Sequence, residues 1–197
     1  MSKLDRLSTL LDKNNGFLKT SDAVAAGVSR TYFSKYVRDH HLECVAHGLY
    51  MAQDAWADGM YVIQVRYPSA IFSHESAAFL LNIAEREPVQ YSITLKAGAN
   101  ATSLSREGVK IYKIRPDLFD EGLTQVQSPA GHTLRVYNSE RTICDLVRSR
   151  RSIEIQDLQS AIKEYIRRKD KNVPLLMRYA KMFSIEKIIR QYLEVLL

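Results

Sequence analysis

The chain has 197 residues, which is enough for one large domain or two small ones. Its net charge of +6 and its pI of about 9.3 favour a polyanionic partner but do not establish one. The N-terminus lacks the apolar run of a signal peptide, and no stretch approaches the ~18 apolar residues of a membrane span, so we expect a cytoplasmic protein. Cys44 and Cys144 form no CxxC pair, which argues against a disulfide framework or a zinc site.

The positive charge is concentrated at the end of the chain. Residues 1–52 carry a net charge of +2, residues 53–147 carry −2, and residues 148–197 carry +6. A single DNA-binding site in the first segment does not require this distribution. We therefore expect a second cationic surface in the last quarter of the chain.

Short helical patterns begin the predicted first domain, residues 1–54. A first helix with a leucine-lined face ends at residues 14–16, since Asn and Gly tolerate the left-handed backbone of a helix C-terminus. Thr20 or Ser21 can cap a second helix, which Gly27 ends.

A third helix and a hairpin follow. Ser29 can cap a helix that runs to about Arg38. Two short β-like runs, 42–45 and 49–52, then flank a turn at His47 and the following glycine. Two helices joined by a tight turn and followed by a hairpin predict a winged helix-turn-helix, in which the second of these helices enters the DNA major groove.

The third helix has two different faces. Phe33 and Tyr36 fall on one face, and Lys35 and Arg38 fall on the opposite face, with no acidic residue before Asp39. A cationic face can also be merely solvated, but the turn spacing and the hairpin favour DNA binding. His47 and Tyr50 fit a turn or packing role equally well. The predicted DNA contacts are Thr20, Ser21, Ser29, Arg30, Thr31, Tyr32, Ser34, Lys35, Arg38, His47 and Tyr50.

The predicted second domain, residues 55–197, alternates strand-like and helix-like patterns. We predict strands at 60–67, 91–96, 109–114 and 133–137. Helices are predicted over 73–81 and 139–148, the latter capped by Ser139, and three amphipathic helices end the chain. The fold class is therefore α+β, with a winged helix-turn-helix followed by a mixed α/β domain.

The sequence lacks the motifs of several large enzyme classes. No Asp or Glu is followed two positions later by Lys, as a nuclease of the restriction type requires. There is also no P-loop, no GxGxxG and no HExxH. His40 and His41 are adjacent at a helix end and point in different directions. We therefore expect no catalytic activity, no cofactor and no metal, and we interpret Glu140, Arg141 and Asp145 as intrahelical charge pairing.

Basic residues cluster in the C-terminal quarter, where they form either a solvated face or a second contact with nucleic acid. The candidates are Arg148, Arg150, Arg151, Arg167, Arg168, Lys169 and Lys171. Salt dependence distinguishes the two interpretations, because each lost phosphate contact lowers the log–log salt slope by about 0.9 on duplex DNA.

The segment from Thr20 to Tyr50 resembles the N-terminal winged helix of the AbiEi family of antitoxins, which are transcriptional regulators of type IV toxin–antitoxin systems. The similarity continues at 71–78 (IFSHESAA) and 139–146 (SERTICDL), and it ends in the helix that finishes with 192–196. It covers nearly the whole chain and looks close to the streptococcal phage-resistance members of the family. Winged helices are common, so the ordered set of segments carries the resemblance.

The resemblance implies two functions and two partners. The winged helix is expected to bind double-stranded DNA at inverted repeats in the promoter of its own operon and to repress it. The C-terminal domain is expected to counteract a nucleotidyltransferase-like toxin during abortive infection without forming a stable complex with it. Binding to a membrane is not expected. The alternatives are a DNA-tethered enzyme that modifies nucleic acid and a protein that binds the toxin directly.

Overall fold

A computed structural model describes residues 2–196 of the chain, so the outermost residues of the two predicted domains, Met1 and Leu197, lie outside the described residues. Two compact units are present: unit 1 runs to Pro68 and also contains Gln127–Thr133, and unit 2 contains the remainder. The predicted division after residue 54 stays a prediction. The described residues form eleven helices and two sheets, which confirms the α+β class.

Unit 1 contains four helices and one small sheet among the described residues. Its elements are α1 (Lys3–Lys13), β1 (Phe17–Lys19), α2 (Thr20–Ala25), α3 (Arg30–Asp39), β2 (Glu43–Ala46), β3 (Leu49–Met51) and α4 (Gly59–Arg66). The strands pair antiparallel in the order β1-β3-β2. α1 begins at a capping box in which Ser2 and Asp5 each bind the backbone N–H of the other.

A small core holds these helices on the sheet. Leu7 of α1, Leu18 of β1 and Val28 before α3 are almost completely buried, together with Phe33 of α3. The turn into β1 depends on Gly16, whose φ of +83° suits glycine and whose Cβ position would lie only 2.4 Å from the Cβ of Ala55. Any larger residue at position 16 is therefore expected to displace this turn.

The prediction of a strand at 60–67 is wrong, because this segment forms α4. Asp58 caps the helix through its Oδ1, which accepts from the Tyr61 N–H at 2.9 Å. Met60, Tyr61 and Ile63 are all buried, so the helix is covered on more than one side. A short run of apolar residues that is buried all round has no clear period, and its cap is then the more reliable signal.

A buried polar network in unit 1 joins Asp58 to Ser128 and His132. The Asp58 carboxylate accepts from the Ser128 hydroxyl at 2.6 Å and lies 2.7 Å from His132 Nδ1. The His132 ring stacks on Tyr61 at 4.0 Å between centroids. Burial acts to raise the pKa of Asp58, but its hydrogen bonds with His132, Ser128 and the Tyr61 N–H outweigh burial and hold the pKa below its usual value.

This network predicts an acid-sensitive contribution to stability. The folded pKa of Asp58 lies below the unfolded value of ~3.9, so its stabilisation is present above that pH and is lost as the pH falls through the folded pKa. We expect Asp58→Asn to lower the free energy of unfolding by about 1–3 kcal/mol at pH 7 and to flatten its decline between about pH 5 and pH 2. Urea denaturation at a series of pH values measures both effects.

The control for this prediction is Asp54→Asn, which changes an exposed carboxylate four residues earlier. It should keep the pH dependence of the wild-type protein. Identical pH profiles for wild type and Asp58→Asn would contradict the role assigned to the network.

Unit 2 is built on a five-stranded mixed sheet in the order β6-β5-β4-β8-β7. Its strands are β4 (Ile71–Phe72), β5 (Ser92–Lys96), β6 (Lys110–Ile114), β7 (Leu123–Gln127) and β8 (Thr133–Tyr137). Its helices are α5 (His74–Leu80), α6 (Thr102–Arg106), α7 (Pro116–Phe119), α8 (Ser139–Arg148), α9 (Ile155–Arg167), α10 (Val173–Met182) and α11 (Glu186–Leu196). The central strand β4 pairs antiparallel with β5 and parallel with β8.

The three predicted amphipathic helices at the end of the chain are confirmed as α9, α10 and α11. Their apolar faces pack with α8 in one cluster, in which Tyr165, Leu176 and Ile189 are almost completely buried. The N-cap of α8 is Asn138, whose side chain accepts from the Arg141 N–H, so the prediction of Ser139 as the cap is wrong by one residue. Asn is at least as good an N-cap as Ser, so two adjacent residues were equally suited to this position.

Candidate nucleic-acid interface

The turn between α2 and α3 is fixed by three contacts. Gly27 has a φ of +78° and follows the end of α2. Val28 is 2% exposed and fills the space between the helices, while its N–H donates to the Ala23 carbonyl at 3.0 Å. The Arg6 guanidinium on α1 donates to the Ala26 carbonyl at 2.8 Å. These contacts hold the two helices in a helix-turn-helix arrangement.

Helix α3 has the two faces expected from the sequence. Its Ser29 N-cap accepts from the Tyr32 N–H at 3.4 Å. Phe33 and Tyr36 are buried against the unit 1 core. The residues on the outward face are exposed, and they are Arg30, Thr31, Ser34, Lys35 and Arg38. This face combines long cationic donors with hydroxyls, a set that can bind phosphates and the base edges of guanine and adenine.

Tyr32 lies at the edge of this face. Its side chain is half-buried, and the Lys3 ammonium lies 5.7 Å from the centre of its ring. Lys3, which our sequence analysis does not include among the DNA contacts, is therefore a neighbour of the predicted interface.

The predicted hairpin is present as β2 and β3, and its turn is hydrogen-bonded to the start of α2. Its two-residue turn holds His47, which is exposed, and Gly48, whose carbonyl accepts from the Thr20 N–H at 2.9 Å. Ser21, also exposed, bonds to Asp22 beside it. The turn and the first residues of α2 are thus next to each other in unit 1.

The Tyr50 side chain is partly exposed and also packs against the core of unit 1. It is half-buried, and its ring meets Phe33 edge-to-face with 5.3 Å between centroids. This contact links β3 to the buried face of α3. Of the two hairpin residues predicted to bind DNA, His47 is therefore the more accessible.

The basic residues of the last quarter differ in how they are engaged. Arg148 pairs with Asp145 at 3.0 Å, and Arg150 donates to the Val147 carbonyl at 3.1 Å. Arg168 pairs with Asp170 at 2.7 Å and also donates to the Leu81 carbonyl, and Lys171 donates to the Arg168 carbonyl. The exposed members of the set are Arg148, Arg150, Arg151, Arg167 and Lys169.

Arg6 is the positioning residue that the sequence analysis misses. Its contact with Ala26 spans 20 residues, and one arginine on a first helix gives no local sign of it. The helical spacing of the leucines in α1 indicates which face packs, but it does not show that the Arg6 side chain reaches the turn.

The geometry of unit 1, two helices in a helix-turn-helix followed by a β-hairpin, defines a class of DNA-binding fold. Residues 5–53 match the family model described as the transcriptional regulator AbiEi antitoxin. The matched segment holds α2, α3 and the hairpin. Over this segment the match confirms the predicted family, whose members are antitoxin transcriptional regulators. The similarity predicted at 71–78 and 139–146 lies beyond the match and stays a prediction.

A solved structure shares the fold. The crystal structure of the Rv2827c protein from Mycobacterium tuberculosis aligns with a TM-score of 0.59 at 16% identity, over 91% of this chain and 71% of that one. At this identity the likeness shows the fold alone. No curated protein matches the sequence. Within residues 2–196 no helix has the length and apolar character needed to cross a membrane.

Proposed function

We propose that this chain is a type IV antitoxin that represses its own operon by binding inverted repeats in the promoter. The observation that carries the proposal is the exposed cationic face of α3, which follows the turn at Gly27 and Val28 and lies within the family match. Lys35 and Arg38 are three residues apart and therefore project from the same side of the helix.

The contacts follow from the helix geometry. Arg30 and Thr31 lie in the first turn of α3, where the residues that read base edges usually lie. We assign phosphate contacts to Ser29 at the start of α3 and to the exposed His47 in the hairpin turn. An inverted repeat then requires two copies of this unit, one on each half-site.

The antitoxin part of the proposal is supported by the family match and by the resemblance of the segments at 71–78 and 139–146. We assign it to unit 2, which opposes a nucleotidyltransferase-like toxin without a stable complex. The basic residues Arg150, Arg151, Arg167 and Lys169 are exposed there and are available for a second contact with nucleic acid.

The experiment that tests the proposal is a mobility-shift titration with DNA from upstream of the chain's own gene. We expect binding to a duplex that carries the inverted repeat to be at least ~1,000-fold tighter than binding to a scrambled duplex of equal length, at one stated salt concentration. Equal affinity for both duplexes would contradict operator recognition.

Co-purification with the product of the neighbouring gene tests the type IV part separately. If that product is a toxin and the two proteins separate on size exclusion while the cells survive, the type IV mode is supported. A stable complex would favour direct binding of the toxin instead.

A further inference from the structure

Unit 2 contains a cavity of about 160 Å³ that the DNA-binding function does not use. This volume is more than ten times the ~10–15 Å³ needed for one water molecule. Its lining is mostly polar and comes from α5, β5, β6 and α8. The lining residues are His74, Thr94, Tyr112, Lys113, Ile114, Arg141, Asp145, Arg148 and Ser149.

One face of α8 and the residue after it form a wall of this cavity. Arg141, Asp145, Arg148 and Ser149 follow the spacing i, i+4, i+7 and i+8, which places them along one side. Three cations, Arg141, Arg148 and Lys113, line the cavity against the single carboxylate of Asp145. Burial acts to raise the pKa of Asp145, and any protonation there would only add positive charge to the lining.

Arg141 is fully buried and has a donor to spare. Its Nε donates to Asp145 at 2.9 Å, and its Nη1 donates to the carbonyls of Leu118 and Glu121 at 3.0 and 2.9 Å. Its guanidinium lies 4.2 Å from the ring centre of Tyr137. Among the described residues the buried Nη2 has no hydrogen-bond partner. A buried guanidinium N–H without an acceptor is costly, so an acceptor that enters the cavity is favoured.

A chain of hydrogen bonds leaves a second donor available at the cavity. The Thr94 hydroxyl donates to Ser73 Oγ at 2.9 Å, and Ser73 lies 3.0 Å from His74 Nδ1. Burial, with Arg148 and Lys110 nearby, lowers the pKa of His74 well below its usual value, so the ring is neutral. Because Ser73 Oγ already accepts from Thr94, we assign its hydroxyl as the donor to Nδ1, and in that tautomer Nε2–H donates to Ser149 Oγ at 3.1 Å. The Ser149 hydroxyl hydrogen can therefore turn to an acceptor in the cavity.

The backbone holds His74 in this position at some cost. Its φ of +50° lies in the left-handed region, which residues other than glycine seldom adopt. The ring is stacked on Tyr112 with 3.4 Å between centroids, and it is bonded through both nitrogens. Residues held in sparsely populated backbone conformations cluster at active sites and ligand-binding sites.

We propose that this cavity is a binding site for a phosphate group, either inorganic phosphate or the phosphate of a small nucleotide. The buried Nη2 of Arg141, the Ser149 hydroxyl and the cations of Arg148 and Lys113 supply donors of the kind a tetrahedral oxyanion binds. Arg141 and Asp145 position this set, because each is fixed by the other. The site concerns a small ligand and does not depend on DNA binding by α3.

The experiment measures thermal unfolding of the full chain with inorganic phosphate or adenosine monophosphate, at constant ionic strength with chloride as the reference. We expect 10 mM inorganic phosphate to raise the unfolding temperature of the wild type by at least about 2 °C. A larger shift with adenosine monophosphate than with inorganic phosphate would place the phosphate on a nucleotide, and a shift with inorganic phosphate alone would identify the free anion.

Variants separate this site from general salt stabilisation. Lys113→Gln with Arg148→Gln removes two exposed lining cations and should abolish the shift, whereas Lys181→Gln with Arg190→Gln makes the same charge change at exposed residues that do not line the cavity and should keep it. Amide resonances of Thr94 and Ser149 should move on phosphate addition only in the wild type and the control. No shift with either ligand, or an equal shift in both double variants, would overturn the proposal.

Discussion

Replacing Lys35 and Arg38 together by alanine is expected to weaken binding to the chain's own promoter at least ~100-fold, while the unfolding temperature stays as in the wild type. Both side chains are exposed on α3, whereas Phe33 and Tyr36 supply the buried face of this helix. A side chain that pairs with a base edge contributes about 1–3 kcal/mol, so two together account for a loss of this size. The measurement is a mobility-shift titration with the promoter duplex.

The salt dependence of the same titration shows which kind of contact is lost. If Lys35 and Arg38 bind phosphates, the log–log salt slope should fall by about 0.9 for each of them. If they read bases instead, the slope should change little while discrimination against the scrambled duplex falls.

A matched control has the same charge change at the same helical spacing. Lys187 and Arg190 are exposed and three residues apart on α11, and Lys187→Ala with Arg190→Ala should leave promoter affinity within about twofold of the wild type. Equal losses in the two double variants would mean that overall charge, and not the face of α3, governs binding.

Arg141→Met is expected to lower the free energy of unfolding by about 3–5 kcal/mol, the largest effect on stability that we predict for a single change. Arg141 and Asp145 are 0% and 2% exposed at their side chains, so removing the arginine leaves a buried carboxylate without its closest partner. The carbonyls of Leu118 and Glu121 also lose the donor they share. Equilibrium urea denaturation measures the change.

Two further variants separate charge burial from packing. Arg115→Met breaks an exposed pair with Asp117 and should change the unfolding temperature little, because that pair is screened by solvent. Arg141→Met with Asp145→Leu removes both buried charges and should recover part of the stability lost in Arg141→Met. A double variant that is less stable than Arg141→Met would show that hydrogen bonding to Asp145, and not its uncompensated charge, controls the effect.

The helix-turn-helix could be predicted because its information is local. The glycine at 27, the apolar residue at 28 and the cap at 29 lie within three positions of one another, and the faces of α3 follow from its period. The hairpin turn at His47 likewise lies between two short runs that pair with each other. These features need no knowledge of the rest of the fold.

The elements that were not predicted depend on distant parts of the chain. β4 is only the two residues Ile71 and Phe72, and it becomes a strand because β5 and β8 pair with it on either side. α4 is buried on several sides, which removes the period that marks a helix. Short or fully buried elements are therefore defined by their neighbours more than by their own sequence.

The cavity of unit 2 likewise combines a feature that the local sequence predicts with features that depend on distant residues. The spacing of Arg141 and Asp145 correctly predicts their intrahelical pair, at 2.9 Å. The sequence does not show that the pair is buried, because Leu118 and Glu121 lie more than 19 residues earlier. The bond between His74 and Ser149 spans 75 residues, so the cavity could only be seen once the fold was known.

The most direct test of the central claim is to locate α3 on DNA with a tethered cleavage reagent. Cys44→Ser removes the exposed thiol, and burial raises the pKa of the remaining Cys144 to about 12, which leaves it unreactive. Asp39→Cys then places an iron chelate at the exposed end of α3, and Lys187→Cys places one on α11. We predict that the chelate on α3 cuts the promoter duplex within each half of the inverted repeat and that the chelate on α11 does not. No cutting from α3, or the same cuts from both positions, would contradict recognition of the operator by this helix.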